Sequence, residues 1–141
     1  MKLSIKTTFN FGKLASELPK IIEKNSQRYA RSSAKGAKEN ISKGLTPPLS
    51  GFTRHIRKLR KRTGTKPLYE TGALHRSIKG TSEGLKMLKY GIYHHHGFTT
   101  GAKSMFPDME VPARPFIFPD KKTILTAFNS FRKDFRKALR K

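Results

Sequence analysis

The sequence contains no cysteine. That excludes a disulfide framework, a thiolate metal site and a cysteine nucleophile, and it fits a reducing cytoplasm or an assembly made there. Acidic residues are scarce, with 9 Asp and Glu against 31 Lys and Arg, for a net charge of +22. The carboxylates are scattered one by one along the chain, so the clusters by which a nuclease holds its cations are missing. No apolar run approaches the roughly 20 residues of a membrane span. The opening MKLSIKTTFNF lacks the apolar core and small-residue cleavage site of a signal peptide. A soluble protein with no membrane contact is expected. Glycine motifs of the Walker and dinucleotide kinds are absent, and no nucleophile-elbow pattern surrounds Ser77 near His75 or Ser104 near the histidine run. Neither catalysis nor a cofactor is expected.

What is present is enough apolar residue for one core. A chain of 141 residues with 35% hydrophobic content supports a single domain, 1–141, and is too short for two well-buried ones. Self-repulsion at +22 works against a compact state, so something acidic should neutralise it: nucleic acid, an anionic membrane surface or acidic neighbouring subunits.

From Leu3 to Phe11 the odd positions Leu3, Ile5, Thr7, Phe9 and Phe11 alternate with polar ones, which predicts a strand with one face in a core. Gly12 breaks this pattern. Leu14, Leu18, Ile21, Ile22, Ala30, Ala34, Ala37 and Ile41 then recur at helical steps, predicting a long helix from Leu14 or Pro19 to Ser42. Pro19 belongs in its first turn and Gly44 at its stop. The small residues Ala30, Ala34 and Ala37 allow close approach by another element, either the chain's own sheet or another subunit.

Thr46-Pro47-Pro48 reads as a rigid connection to a short helix with a narrow apolar stripe, Phe52, Ile56 and Leu59. Arg54, Arg57, Lys58, Arg60, Lys61 and Arg62 occupy its other faces. A solvated face is the ordinary reading of such a run. No acidic residue lies between Ser50 and Pro67 to pair with these cations, which raises the case for a phosphate or acidic-protein contact. Pro67 to Gly80 predicts a helical turn running into a strand, with Thr71-Gly72 as turn or cap. Leu85 to Tyr93 predicts strands bent at Gly84 or Gly91. Gly97 to Glu110 predicts an exposed loop. Asp120 then caps a last helix whose stripe is Ile124, Leu125, Phe128, Phe131, Phe135 and Leu139, and Arg132, Lys133, Arg136, Lys137, Arg140 and Lys141 give it a basic patch. The order is that of an α+β fold, a small antiparallel or mixed sheet packed against a long N-terminal helix and a C-terminal helix, with an extended loop.

The stretch Tyr90 to Phe118 concentrates constrained residue types, among them His94, His95 and His96 and the corner Pro112-Ala113-Arg114-Pro115-Phe116. On a strand, His94 and His96 share a face and His95 points away. Two ligands on one side make a poor zinc site, so no metal is expected. In the corner, the prolines fix extended backbone, Phe116 can anchor in the core, and Arg114 is held to pair with a carboxylate or phosphate.

Three segments together carry a resemblance. Pro67-Leu68-Tyr69-Glu70-Thr71-Gly72-Ala73-Leu74-His75-Arg76-Ser77-Ile78 is similar to Leu-x-x-Thr-Gly-x-Leu-x-x-Ser-Ile. Tyr90-Gly91-Ile92-Tyr93-His94-His95-His96-Gly97 is similar to Tyr-Ala-x-x-His-x-x-Gly, and Val111-Pro112-Ala113-Arg114-Pro115-Phe116-Ile117 to Ile-Pro-Ala-Arg-Pro-Phe-Leu. Pro48-Leu49-Ser50 before a basic helix is a weaker fourth match. In this order they resemble the phage virion morphogenesis family, tail-completion or neck proteins that act where a tail joins a capsid. The resemblance spans Leu14 to Leu139, with Gly91 where alanine is usual and a Pro119-Asp120 helix start as departures.

The resemblance implies a non-catalytic ring subunit of the head–tail junction, a hexamer being favoured, assembled in the host cytoplasm. Its implied partners are further copies of itself, neighbouring neck, tail-terminator, tail-tube or connector proteins, and the packaged DNA. Candidate subunit or partner contacts are Arg114, Phe116, His94, Ala30, Ala34 and Ala37. Candidate contacts to DNA or an acidic partner are Arg54, Arg57, Lys58, Lys61, Arg132, Arg136 and Lys137. The alternative is a stand-alone basic nucleic-acid-binding protein using the same cations. Within the corner, Arg114→Ala is expected to impair assembly more than His95→Ala.

Overall fold

A computed structural model of the chain describes residues 11–62 and 64–140. The strand expected over Leu3 to Phe11 lies outside the described residues except for Phe11, which opens the first helix. The fold is α+β. Helix α1 (Phe11–Lys43) leads to the short α2 (Gly51–Leu59) and α3 (Ala73–Ser77). The hairpin β1 (Lys79–Thr81) and β2 (Gly84–Lys86) follows, then α4 (Lys89–His96), strands β3 (Phe98–Thr99) and β4 (Glu110–Val111), and α5 (Lys121–Leu139). Both ladders are two-stranded and antiparallel, with Gly80 opposite Leu85 in the first and Phe98 opposite Val111 in the second.

Helix α1 begins earlier than expected, so Pro19 lies inside it rather than in its first turn. The proline denies an N–H to the carbonyl four residues back. That carbonyl belongs to Ala15, which is exposed, so water can replace the lost partner. At the other end Gly44 adopts φ 104° and its N–H donates to the Asn40 carbonyl at 3.2 Å, closing the helix as expected.

The face of α1 that meets the rest of the chain changes along its length. Ala34, Ala37 and Ile41 in its C-terminal half join Leu74, Ile78 and Phe116 in the core, with Leu45, Leu68, Leu85, Met87 and Ile117 packed around them. Alanine at Ala30 lets β1 approach the helix backbone. A Cβ placed on Gly80 would lie 2.3 Å from both the Ala30 carbonyl carbon and the Arg31 nitrogen, so only glycine fits the crossing. The Ala30, Ala34, Ala37 face is thus covered by the chain's own hairpin and core. Of the two readings left open for it, the intramolecular one holds, and these alanines are not free to meet another subunit.

The N-terminal half of α1 pairs instead with α5, running antiparallel to it. Asn25 Nδ2 donates to Asp134 Oδ2 at 3.1 Å, Lys24 and Arg28 approach the same oxygen at 3.3 and 3.6 Å, and Ser32 lies 3.5 Å from Thr123. On α5 the contacting face runs through Thr123, Ala127, Ser130, Asp134 and Ala138, small or polar residues at helical spacing. The cap is as expected, with the Thr123 N–H donating to Asp120 Oδ1 at 2.8 Å. Among the described residues no helix is long and apolar enough to cross a membrane.

The largest correction falls on Tyr90 to His96. These residues are helical, in α4, not stranded. Leu85 starts the reading correctly as part of β2, but after Lys86 the chain turns and Leu88 opens a helix. Gly91 marks close packing rather than a bulge, since a Cβ there would lie 2.7 Å from Leu74 Cδ1.

Candidate assembly surfaces

The three segments that carry the resemblance converge on one nucleus. Gly72, with φ 71°, precedes α3, and Thr71 Oγ1 accepts from the Ala73 N–H at 3.3 Å, so the turn delivers Leu74 and Ile78 into the core. Ser77 Oγ donates to the Leu74 carbonyl at 2.7 Å and accepts from the Leu88 N–H at 3.2 Å, tying α3 to the start of α4. From the far end of α4 the His94 carbonyl accepts the Arg114 N–H at 2.8 Å. The Phe116 N–H donates to His95 Nδ1 at 3.2 Å, with the Ile117 N–H at 3.5 Å from the same nitrogen. Asn40 Nδ2 of α1 donates to the Phe116 carbonyl at 3.1 Å. Extended backbone with no strand partner therefore has its polar groups satisfied from two helices, and Phe116 is fully buried between them.

In a helix the three histidines fan out at about 100° to one another. His95 accepts backbone donors through Nδ1 and stands edge-on to the Phe116 ring at 5.4 Å. His94 is half-buried, with Nδ1 enclosed and unpartnered. Burial, and then the Arg114 charge, holds His94 below the usual histidine range; burial, and then His96, does the same for His95. Among the described residues no group of three or more His, Asp or Glu is placed to hold a metal ion.

Arg114 is buried rather than displayed. Its Nε donates to the Pro47 carbonyl at 2.9 Å and its Nη2 to the Pro48 carbonyl at 3.3 Å. The Thr46-Pro47 bond between this segment and α1 is cis. Instead of a carboxylate or phosphate, the guanidinium meets the protein's own carbonyls, and through them it fastens the start of α2 to the 113–117 segment. Arg57 behaves alike, 8% exposed, with Nη1 donating to the Gly64 and Lys66 carbonyls at 2.6 and 3.0 Å. Lys66 Nζ in turn donates to the Ser42 carbonyl. Arg57 is therefore a tether of the 64–66 turn, not an outward cation. Of the expected apolar stripe on α2, Ile56 is half-buried, while Phe52 is about half exposed and Leu59 is 66% exposed.

Between α2, the 67–73 turn, α4 and β4 lies a cleft of about 610 Å³. Its charged lining is Arg57, Arg60, Arg62 and Arg114 with Glu70 and Glu110, and Arg62 Nε lies 3.6 Å from Glu70 Oε1. The other expected cations are outward. Arg54, Lys58 and Lys61 are exposed on and just after α2, and Arg132, Arg136 and Lys137 are exposed on α5, where with Lys133 and Arg140 they share one groove.

Sequence patterning missed the apolar surface. The stripe on α5 is only partly covered, with Phe131, Phe135 and Leu139 half-buried. Ile124, Leu125 and Phe128 are all about half exposed or more, Phe128 reaching 61%. Ile22 and Tyr29 of α1 are exposed as well. The 101–110 segment is exposed throughout, with Met105 at 79%. It is the predicted loop, closed at its base by β3 and β4. Helical periodicity found the α5 residues, but it does not say which side of a helix its neighbour takes.

Comparison with protein-family models, with curated proteins and with solved structures finds no match to this chain in any of the three.

Proposed function

We propose that this protein is a structural subunit of the head–tail junction of a phage, a tail-completion or neck protein that assembles as a ring, completes the tail and joins it to the capsid connector. The observation that carries this reading is the meeting of its three resembling segments. Thr71-Gly72-Ala73-Leu74, His94 to Gly97 and Ala113 to Phe116 are far apart in sequence yet bonded or packed to one another in one nucleus. A Cβ on Gly97 would lie 2.8 Å from the Ala113 nitrogen, so the second segment needs its glycine for the third to pass.

The surface supports an assembling role. Apolar side chains stand exposed on α1, α2, α4, α5 and the loop, where a neighbouring copy or partner could cover them. The residues weighed for catalysis are engaged in the fold, Ser77 by Leu74 and Leu88, and Ser104 Oγ by the Phe106 N–H at 3.3 Å. Electron micrographs of particles made without this protein test the proposal. Tailless heads beside complete or overlong tails are expected; joined, infectious particles would overturn it.

One observation favours the second reading, a stand-alone nucleic-acid-binding protein. Arg132, Lys133, Arg136, Lys137 and Arg140 stand exposed on α5 without a carboxylate within ion-pair distance among the described residues. It predicts DNA or RNA affinity that falls steeply with salt, roughly in proportion to the phosphates contacted.

A further inference from the structure

The 101–110 loop is chemically unlike the rest of the molecule. In a chain of net charge +22, the loop holds Asp108 and Glu110 against the single cation Lys103, and from Ser104 to Ala113 there is no cation. Neither carboxylate has an ion-pair partner among the described residues. Met105, Phe106 and Met109 are exposed beside them. The loop is nonetheless built. Thr100 Oγ1 accepts the Met109 N–H at 2.8 Å and donates to the Phe106 carbonyl, and the Thr100 carbonyl accepts the Asp108 N–H at 3.0 Å. The Phe106 ring meets Phe52 of α2 edge-on at 5.3 Å.

Helix α5 offers the complement. Lys121, Leu125, Phe128 and Arg132 fall at steps of four, three and four, one helix face with an apolar centre and a cation at each end. The two cations are eleven residues apart, about 16 Å along the axis. All four side chains are exposed, and α1 takes a different face.

We propose that the Met105–Glu110 loop of one copy docks on the Lys121, Leu125, Phe128, Arg132 face of α5 of a second copy, so that repetition of this contact builds the assembly. The inference rests on the ring reading above and names its subunit contact. Charge decides the occupant. Two loops facing each other would bring carboxylates together, and two α5 faces would bring cations together, so neither surface suits itself. Loop on helix pairs opposite charges around an apolar centre. A contact between two different surfaces is heterologous, the kind that closes rings. Nucleic acid would neutralise Lys121 and Arg132 but leave Leu125 and Phe128 without an apolar partner, and Asp108 and Glu110 repel it.

The test uses the full chain with Met105→Lys or Phe128→Ser, followed by sedimentation velocity, with circular dichroism confirming that each variant folds. Wild-type protein is expected to form oligomers, and each variant to associate at least about tenfold more weakly, as loss of a central apolar anchor does. An equimolar mixture of the two variants is expected to give dimers and nothing larger, because only one intact loop and one intact helix face remain per pair. Asp108→Asn, which keeps a residue suited to the left-handed φ of 55° at that position, should weaken association by a smaller factor. Assembly unchanged in either variant, or loss with Phe128→Ser alone and not with Met105→Lys, overturns the loop-on-helix contact while the ring reading stands. Wild-type protein that stays monomeric overturns both.

Discussion

The nucleus around Phe116 and the layer formed by α5 with the first half of α1 are made of similar residues and put them to opposite use. In the nucleus, Ile41, Leu74, Ile78 and Phe116 are wholly enclosed, and glycines at Gly80, Gly91 and Gly97 let backbone and side chains approach closer than any Cβ permits. In the α1–α5 layer Asn25 and Asp134 hold the interface, Ile21 of α1 and Ala138 of α5 are buried, Phe131, Phe135 and Leu139 are half-buried, and Ile124, Leu125 and Phe128 face water. One region encloses its apolar area; the other leaves much of it in water. On the assembly role proposed above, folding and association would fall on separate elements.

Substitutions can break or sharpen that contrast. The largest effect is expected for Phe116→Ala, which empties the centre of the nucleus and should cost about 3–5 kcal/mol of unfolding free energy in urea titration. A cost under about 1 kcal/mol would place the core elsewhere. Gly80→Ala comes next. The new methyl meets backbone atoms of Ala30 and Arg31 that cannot swing away, and overpacking of this kind typically costs about 1–3 kcal/mol. At the corner, Arg114→Ala strands the Pro47 and Pro48 carbonyls and His95→Ala strands the Phe116 N–H. Both should lower the melting temperature, and if Arg114→Ala also reduces particle assembly more than His95→Ala, the ranking from sequence stands. The smallest effect belongs to Phe128→Ser, within about 0.5 kcal/mol for the dissociated chain.

Acid separates the same two regions. The folded-state pKa values of His75, His94 and His95 are lowered from 6.5, chiefly by burial, so below that value the unfolded chain binds protons that the folded chain refuses. Stability is therefore full above pH 6.5 and declines as pH falls through the interval below it. Asp134 is a carboxylate lowered from 3.8, mainly by its hydrogen bond from Asn25, so the stability it contributes is present above 3.8 and is lost only at lower pH. Hydrogen exchange on acidification should release the Phe116 and Ile117 amides well before those of α5. Simultaneous release would mean that the regions unfold as one unit.

The legible parts of the fold were those with long, clean periods. The α1 alanines, the α5 stripe, the Gly44 stop and the Asp120 cap follow from spacing and local chemistry, and so does the α3-to-β1 turn. Tyr90 to His96 was misread because tyrosine and isoleucine favour strands, whereas here the pull came from Gly91 seating a helix on Leu74. The burial of Arg57 and Arg114 was hidden for another reason. Arginine in a basic run reads as solvated, and only the folded chain reveals carbonyls at Gly64, Lys66, Pro47 and Pro48 that need donors. At the candidate surfaces, residue types were visible in advance but their direction was not, because which face of α5 meets α1 depends on Asn25 and Asp134, 109 residues apart.

The Arg114 clamp has a consequence for the order in which the molecule is made. Helix α2 contributes Arg57 alone to the buried set, so it gains little by docking early. The donor that fastens its leading prolines comes 67 residues after Pro47 in the chain. Until Arg114 has left the ribosome, that helix is anchored at neither proline carbonyl. The clamp thus makes one attachment of α2 depend on a residue late in the chain, while its other tethers, Arg57 to the 64–66 turn and Lys66 to Ser42, are made from residues already at hand.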